Sequence, residues 1–113
     1  MAYTHPQHGV LDREVTKKLR KTLGDRLKAR RTKLKKTQKD VAEEVGFDYY
    51  TMVSQIESGA VRLPPDRITP YAKALKMPAA MLAGWMMQHY DPITWEALKS
   101  GDYLKEKDFK EID

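Results

Sequence analysis

The stretch TQKDVAEEVGFDYYTMVSQIESG, residues 37–59, decides the fold because it describes two short helices joined by one turn. Thr37 is a preferred helix N-cap residue, and Asp40 three positions later completes the pattern of a capping box. Apolar residues at helical spacing follow, and Gly46 ends the first helix in a conformation that glycine adopts easily. A second helical pattern ends at Gly59. Two short helices around one turn are typical of a helix-turn-helix unit.

The sequence before this unit predicts an amphipathic helix. Apolar side chains recur every four positions at Leu11, Val15, Leu19, Leu23 and Leu27. Gly24 interrupts the pattern, since glycine costs about 1 kcal/mol relative to alanine inside a helix. Either one long helix runs from about Asp12, or a short arm helix precedes a core helix that begins near Thr22. The sequence slightly favours the second division.

The sequence after Gly46 predicts four further helices and no strand. Asp48 is the expected N-cap of the third helix of the chain, which is the second helix of the helix-turn-helix unit. A fourth helix follows the loop AVRLPPD, with Thr69 as its cap and Pro70 at its first helical position. Pro78 opens a fifth helix, and Pro92 opens a short sixth helix, PITWEALK.

Length and composition allow one domain with tails. The chain has 113 residues, of which 41% are hydrophobic and 33% are charged, so a modest core lies under a strongly solvated surface. The predicted fold is all-α, with a five-helix repressor-like helix-turn-helix domain over residues 22–87. A basic N-terminal arm, residues 1–21 and partly helical or flexible, precedes it. A helical C-terminal extension, residues 88–113, follows it.

The charge is unevenly distributed along the chain. The net charge is +5, and lysine and arginine dominate residues 13–39, where only Glu14 and Asp25 oppose them. The sign reverses after Asp91. Such polarity suits a chain that offers one face to a polyanion, which is either nucleic acid or an anionic membrane. A solvated helix face is the alternative interpretation.

Several classes of function find no support in the sequence. There are no cysteines for disulfides or a cysteine-ligated zinc site. His5, His8 and His89 have no metal-ligand spacing, and no catalytic constellation is present. The longest uncharged run, residues 77–90, is too short to span a bilayer, and no signal peptide is recognisable. We therefore expect a cytoplasmic protein without enzymatic activity, cofactor, metal or membrane partner, which would be nucleoid-associated if the polyanion is DNA.

Residues 23–82 closely resemble the DNA-binding domains of Cro and phage-repressor type, also called the xenobiotic-response-element family. The matching segments are LGDRLKARRTKLKKTQKDVAEEVG, VSQIESG and PYAKALKMPAAML, in the family's order. They cover a little over half of the chain and reach all five helices of the family fold. The resemblance implies a sequence-specific regulator of transcription that binds double-stranded DNA. We expect a repressor that acts as a homodimer on a palindromic operator.

The resemblance also implies roles for individual residues. Arg31 and Glu57 would form a partly buried ion pair between the first and third helices. The third helix would enter the major groove with its N-terminal residues on base edges. DNA phosphates would be contacted from the start of the second helix and from the segment after the third. These contacts are assigned to Thr37, Gln38, Lys39, Ser58, Arg62 and Arg67.

The spacing departs from the family at one point, because Gly46 and Glu57 are eleven positions apart, one more than usual. Alignment backward from Glu57 makes Tyr50, Thr51 and Gln55 the base readers. Alignment forward from Gly46 makes them Tyr49, Tyr50 and Ser54. The backward alignment is preferred, because Glu57 and Ile56 fix the phase of the helix. Either tyrosine would contact DNA or fasten the turn to the core, and Tyr49 is the stronger candidate for the structural role.

An apolar cluster beyond the five-helix domain has two interpretations. It includes Trp85, Met86, Tyr90 and Trp95. These side chains either extend the core or form a dimer or partner surface, where tryptophan, tyrosine and methionine are favoured. The alternative function is an antitoxin or protein-binding adaptor of a toxin–antitoxin-like system, which would bind a protein partner through this C-terminal region.

Overall fold

Six helices form the fold in the computed structural model, which describes residues 12–99. They are α1 (Arg13–Lys33), α2 (Gln38–Val45), α3 (Thr51–Ser58), α4 (Ile68–Ala74), α5 (Ala79–Tyr90) and α6 (Pro92–Lys99), with a 3₁₀ turn at Pro65–Arg67. No strand occurs within this described range, and the prediction of an all-α fold is confirmed. Residues 1–11 of the predicted arm (residues 1–21) and residues 100–113 of the predicted C-terminal extension (residues 88–113) lie outside the described residues.

The first helix, α1, is continuous, so the alternative of one long helix from about Asp12 is confirmed and the slightly favoured division near Thr22 is wrong. Gly24 lies inside the helix and is buried against α3. A Cβ atom at Gly24 would lie 2.1 Å from the carbonyl oxygen of Glu57, far inside van der Waals contact. The glycine is therefore required by the close packing of two helices and does not mark a helix end.

Among the described residues of the predicted apolar stripe, only those in the C-terminal half belong to the core. Leu23 and Leu27 are fully buried, whereas Leu19 is partly buried and Val15 is 46% exposed. The first turns of α1 therefore extend past the core rather than into it.

The predicted ends of α2 are confirmed. Thr37 and Asp40 form the capping box: the Thr37 N–H donates to the Asp40 carboxylate at 2.8 Å, and the Asp40 N–H donates to the Thr37 hydroxyl at 2.9 Å. Gly46 follows the helix with φ 91°, a left-handed conformation that a residue with a Cβ atom avoids.

The predicted start of α3 is wrong, although its end is confirmed at Gly59 (φ 86°). Tyr50 and not Asp48 precedes the first residue of the helix, and no side chain caps it. The backbone carbonyl of Tyr50 accepts a hydrogen bond from the N–H of Val53 at 3.0 Å. The turn is thus two residues longer than the Asp48 cap implies, and the first hydrogen bond of the helix is accepted by the carbonyl of Tyr50.

The predicted Thr69 cap of α4 is also wrong. The 3₁₀ turn continues directly into α4, and the N–H of Ile68 donates to the carbonyl of Pro65. The helix therefore begins before Thr69. Pro70 lies in its first turn, where a missing N–H removes no intrahelical bond.

The five helices from α1 through α5 share one hydrophobic core. Its largest fully buried members are Tyr71, Leu23, Leu27, Ile56, Leu63, Leu75, Leu82, Val41 and Val53. Helix α1 packs on α3 and α5, α2 packs on α3 and α4, and α6 packs on α5. Within residues 12–99, no helix is long and apolar enough to cross a membrane.

The C-terminal apolar cluster largely extends this core. Met86 is buried, and therefore belongs to the core and not to a partner surface. The Tyr90 hydroxyl oxygen accepts a hydrogen bond from the N–H of Leu63 at 3.0 Å, and burial raises the pKa of Tyr90. Trp85 and Trp95 are partly buried, so a dimer or partner surface that uses them stays a prediction.

Candidate nucleic-acid interface

Helix α3 has one buried face and one polar exposed face. Val53 and Ile56 are buried in the core, with Glu57 beside them. At about 100° per residue, the residues of the opposite face fall within roughly one third of the helix circumference. This polar face consists of Thr51, Ser54, Gln55 and Ser58, of which all but the partly buried Ser54 are exposed. It brings together base-reading candidates from both alignments.

The two tyrosines before α3 lie on the surface. Tyr49 is 75% exposed and Tyr50 is 56% exposed, so neither side chain fastens the turn to the core. Phe47 does this instead, with its ring edge-on to buried Tyr71 and the ring centroids 6.3 Å apart. This role of Phe47 was not predicted from the sequence. Its signal was present, because an apolar residue after a helix-ending glycine commonly contacts the last turn of that helix.

A groove runs along one side of α3, between the turn that joins α2 to α3 and the 3₁₀ turn. Its volume is about 400 Å³, and the predicted site residues that line it are Tyr49, Thr51, Gln55 and Arg67. The Arg67 guanidinium lies 5.9 Å from the centre of the Phe47 ring. The structure therefore brings a predicted phosphate contact next to the predicted base readers.

A second groove lies on the other side of α3, against α1. Its volume is about 210 Å³. The uncharged polar residues that line it are Gln38, Ser54 and Ser58, the basic ones are Lys21 and Lys28, and the acidic ones are Asp25 and Glu57. Basic groups thus lie on both sides of α3, with acidic groups beside them. Asp48 and Asp66 line the first groove together with Arg67. In the second groove the carboxylates are paired, Asp25 with Lys21 and Glu57 with Arg31.

Arg31 and Glu57 form a bidentate ion pair between α1 and α3. The Arg31 Nε donates to Glu57 Oε2 at 2.6 Å, and Nη2 donates to Oε1 at 3.0 Å. The Glu57 side chain is only 4% exposed and that of Arg31 only 11%. The hydrogen bond to Glu57 raises the pKa of Arg31 above its ordinary value. The pair fixes the end of α3 to α1.

Gln38 joins this ion pair at the N-terminus of α2. Its Nε2 donates to Glu57 Oε1 at 3.0 Å, and Arg31 Nη1 donates to the carbonyl of Lys36 at 2.9 Å. The amide group carries a second N–H that this bond does not use. Gln38 is therefore held in place by protein contacts while it lies at the positive end of the α2 dipole.

The other predicted phosphate contacts take varied positions. Lys39 is exposed beside the α2 N-terminus, whereas the Thr37 hydroxyl already accepts the capping hydrogen bond. The Ser58 hydroxyl donates to the Gln55 carbonyl at 3.0 Å. Arg62, in the loop after α3, is exposed and lies 4.7 Å from the centre of the Tyr90 ring. Lys39 and Arg62 are thus the most accessible charges of the set.

Part of the basic run serves the fold rather than a partner. Arg30 donates to the carbonyls of Leu75 and Lys76, both at 2.8 Å. Lys36 donates to the carbonyl of Ala74 at 2.7 Å. These bonds satisfy carbonyl groups at the C-terminal end of α4. A count of basic residues therefore overstates the charge that is available for a polyanion.

Comparison with known proteins identifies the family. No curated protein matches the chain, and no cluster of His, Asp or Glu within residues 12–99 is arranged to hold a metal ion. A family model described as a helix-turn-helix domain matches residues 22–85, more than half of the chain. The matched segment contains α2, α3 and the residues that line the two grooves beside α3, except Lys21. The chain therefore belongs to this helix-turn-helix family, in agreement with its resemblance to Cro-type DNA-binding domains.

Proposed function

We propose that the protein is a sequence-specific regulator of transcription that inserts α3 into the major groove of double-stranded DNA. Its family is one of DNA-binding regulators in general, which supports the partner class. The observation that carries the proposal is the polar exposed face of α3 with a groove containing basic residues on each side. A helix of this kind fits the major groove, where every base pair offers a distinct hydrogen-bonding pattern.

Thr51 and Gln55 are the proposed base readers on α3, with Tyr50 at its N-terminal end. The buried positions of Ile56 and Glu57 support the alignment that selects them, because these two residues set the phase of the helix. Glutamine can bind adenine through two hydrogen bonds, and threonine offers a methyl group to thymine or a hydroxyl to other bases. Each good contact discriminates by about 1–3 kcal/mol.

The proposed phosphate contacts lie on both sides of this helix. Gln38 and Lys39 meet one strand with the N–H groups of the α2 N-terminus, where the dipole favours an anion. Arg62 and Arg67 meet the other strand from the loop and the 3₁₀ turn. These contacts position the protein on the duplex and carry little sequence information.

A homodimer on a palindromic operator, acting as a repressor, completes the proposal. One short helix reads few base pairs, and two-fold symmetry doubles the contacts and the discrimination. The exposed apolar side chains Met81 on α5 and Ile93 on α6 support a surface between two copies. Half-sites about one helical turn apart are then expected. A monomer in light scattering, still monomeric on DNA, would contradict this part.

The test begins with selection of bound sequences from random duplexes by the full chain. Thr51→Ala and Gln55→Ala are expected to relax the preference at single positions, each by about 1–3 kcal/mol. Lys39→Ala and Arg62→Ala are expected to weaken all duplexes alike and to lower the salt slope by about 0.9 each. Lys73→Ala on α4, outside both grooves, is the control. If both classes of variant behave identically, the assigned roles are wrong; if no duplex is enriched, the function is wrong.

A further inference from the structure

The first turns of α1 continue past the helix-turn-helix domain as a rigid extension. Gly59, at the end of α3, packs on the backbone of α1 at Lys21: a Cβ atom at Gly59 would lie 2.9 Å from the Lys21 nitrogen. Residues 13–18 therefore lie beyond the point where α1 crosses the loop after α3. The family match begins only at residue 22. The extension is nevertheless part of one unbroken helix whose later turns are anchored in the core.

The basic face of this extension lies on the same side of α1 as the groove between α1 and α3. At about 100° per residue, Arg13, Lys17, Lys21 and Lys28 fall within an arc of about 80°, and all four are exposed. Lys21 and Lys28 line the groove between α1 and α3. Lys21 also lines a shallow groove on the extension, together with Lys17 and Lys18, and Glu14 is the one acidic residue of that groove. The two grooves meet at Lys21, so the surface is continuous.

The charges on this face differ from the structural ones in their partners. Lys21 pairs with Asp25 on the same helix. Within residues 12–99, however, Arg13, Lys17 and Lys28 take part in none of the ion pairs. An exposed row of such cations carries counterions that a polyanion releases on binding, which is a source of affinity.

We propose that Arg13 and Lys17 bind phosphates of the duplex beyond the segment that α3 reads, and so extend the DNA contact outside the helix-turn-helix domain. The inference rests on the proposed function, because α3 in the major groove brings Lys21 and Lys28 toward a DNA backbone. The extension of α1 then follows that backbone. These contacts are independent of base sequence, since both side chains reach phosphate oxygens only.

The experiment uses the full chain and a duplex enriched by the wild-type protein. Dissociation constants are measured between about 50 and 200 mM salt for wild type and for Arg13→Ala/Lys17→Ala. The double variant is expected to lower the slope of log K against log salt by about 2, at about 0.9 per phosphate, with unchanged base preferences. Backbone footprinting is expected to lose protection at one edge of the site.

Two controls separate charge from position. Lys73→Ala/Lys76→Ala removes the same charge from the region of α4, and it is expected to leave the slope close to that of wild type. Arg13→Lys/Lys17→Arg keeps both charges, and it is expected to restore the wild-type slope. Thermal melting should show that the exposed substitutions at Arg13 and Lys17 leave the fold unchanged.

The outcomes distinguish this inference from the function on which it rests. If wild type binds its duplex and the Arg13→Ala/Lys17→Ala variant keeps the same slope and footprint, the inference is overturned and the proposed function stands. An equal loss of slope in the Lys73→Ala/Lys76→Ala control would also overturn it, because the effect would then be one of net charge. If wild type enriches no duplex at all, the proposed function itself fails.

Discussion

Gly24 of α1 lies directly against the carbonyl group of Glu57 on α3, so closely that a Cβ atom would meet both its oxygen and its carbon within 3 Å. The contact involves backbone atoms, which cannot move aside as the end of a flexible side chain can. Helices approach this closely only where one of them carries a small residue. This close packing sets the distance between α1 and α3 and places Glu57 beside Arg31.

Gly24→Ala is expected to destabilise the protein, although alanine is the better helix former. The gain in helix propensity is about 1 kcal/mol. Overpacking a close contact typically costs about 1–3 kcal/mol, and here the new methyl group would overlap a carbonyl oxygen. We expect a net loss of up to about 2 kcal/mol in the free energy of unfolding, measured by urea denaturation, together with weaker DNA binding.

Gly84→Ala is the matched control on α5. A Cβ atom there would meet only the ring of Trp95 at 3.7 Å, an ordinary van der Waals distance. This substitution is expected to stabilise the protein by up to about 1 kcal/mol. Equal stabilisation by Gly24→Ala would show that the close approach of α1 and α3 is not as described.

The ion pair between Arg31 and Glu57 gives a second prediction. Glu57→Ala leaves the Arg31 guanidinium with little solvent and no carboxylate, and removal of one partner from a buried pair typically costs about 3–5 kcal/mol. Urea denaturation of the variant is expected to show a loss of this size. The Glu57→Ala substitution also removes the acceptor of the Gln38 amide, so the N-terminus of α2 is expected to become less ordered.

A double variant tests whether this loss comes from the pair or from an isolated charge. Arg31→Met/Glu57→Leu replaces both charges with apolar groups, which is often neutral or stabilising in buried sites. We expect it to be more stable than Glu57→Ala. If the double variant loses as much stability as Glu57→Ala or more, the charges are needed in their own right.

Much of the fold is predictable from local signals along the chain. The capping box of Thr37 and Asp40 and the helix-ending Gly46 and Gly59 occur where the sequence places them. Each is determined by residues within one turn of helix, so the sequence alone contains the necessary information. The sixth helix, opened by Pro92, is predicted for the same reason.

The errors arise where a distant part of the chain decides the outcome. Gly24 has the sequence signature of a helix break, but its cause is the carbonyl of Glu57 on another helix. Tyr49 is exposed, and Phe47 is the residue of the turn that packs against Tyr71. Arg30 counts as surface charge in the sequence, yet it binds carbonyl groups at the end of α4. Tertiary contacts of this kind leave no local pattern.

The two alignments of α3 give different specificities, which provides a third prediction. If α3 reads DNA through Thr51 and Gln55, Gln55→Ala relaxes the base preference and Ser54→Ala changes it little. We expect this result because Gln55 is exposed in the groove with Thr51, whereas Ser54 is partly buried in the groove against α1. Selected-sequence profiles of the two variants provide the measurement. The reverse result would support the alignment that starts from Gly46.

The capping box predicts how stability depends on pH. Hydrogen bonds from the backbone and side chain of Thr37 hold the pKa of Asp40 below its ordinary value. A carboxyl group with a lower pKa in the folded state stabilises the protein fully above the unfolded-state pKa, about 3.9, and loses this contribution as pH falls through the folded-state value. Urea denaturation between about pH 6 and pH 2 should therefore show wild type more stable than Asp40→Asn at the upper end, with the difference shrinking below about pH 4.

Thr37→Ala, expected to cost about 1 kcal/mol at neutral pH, should weaken the same dependence. Parallel curves for wild type and Asp40→Asn over the whole range would show that the carboxylate contributes nothing to the cap.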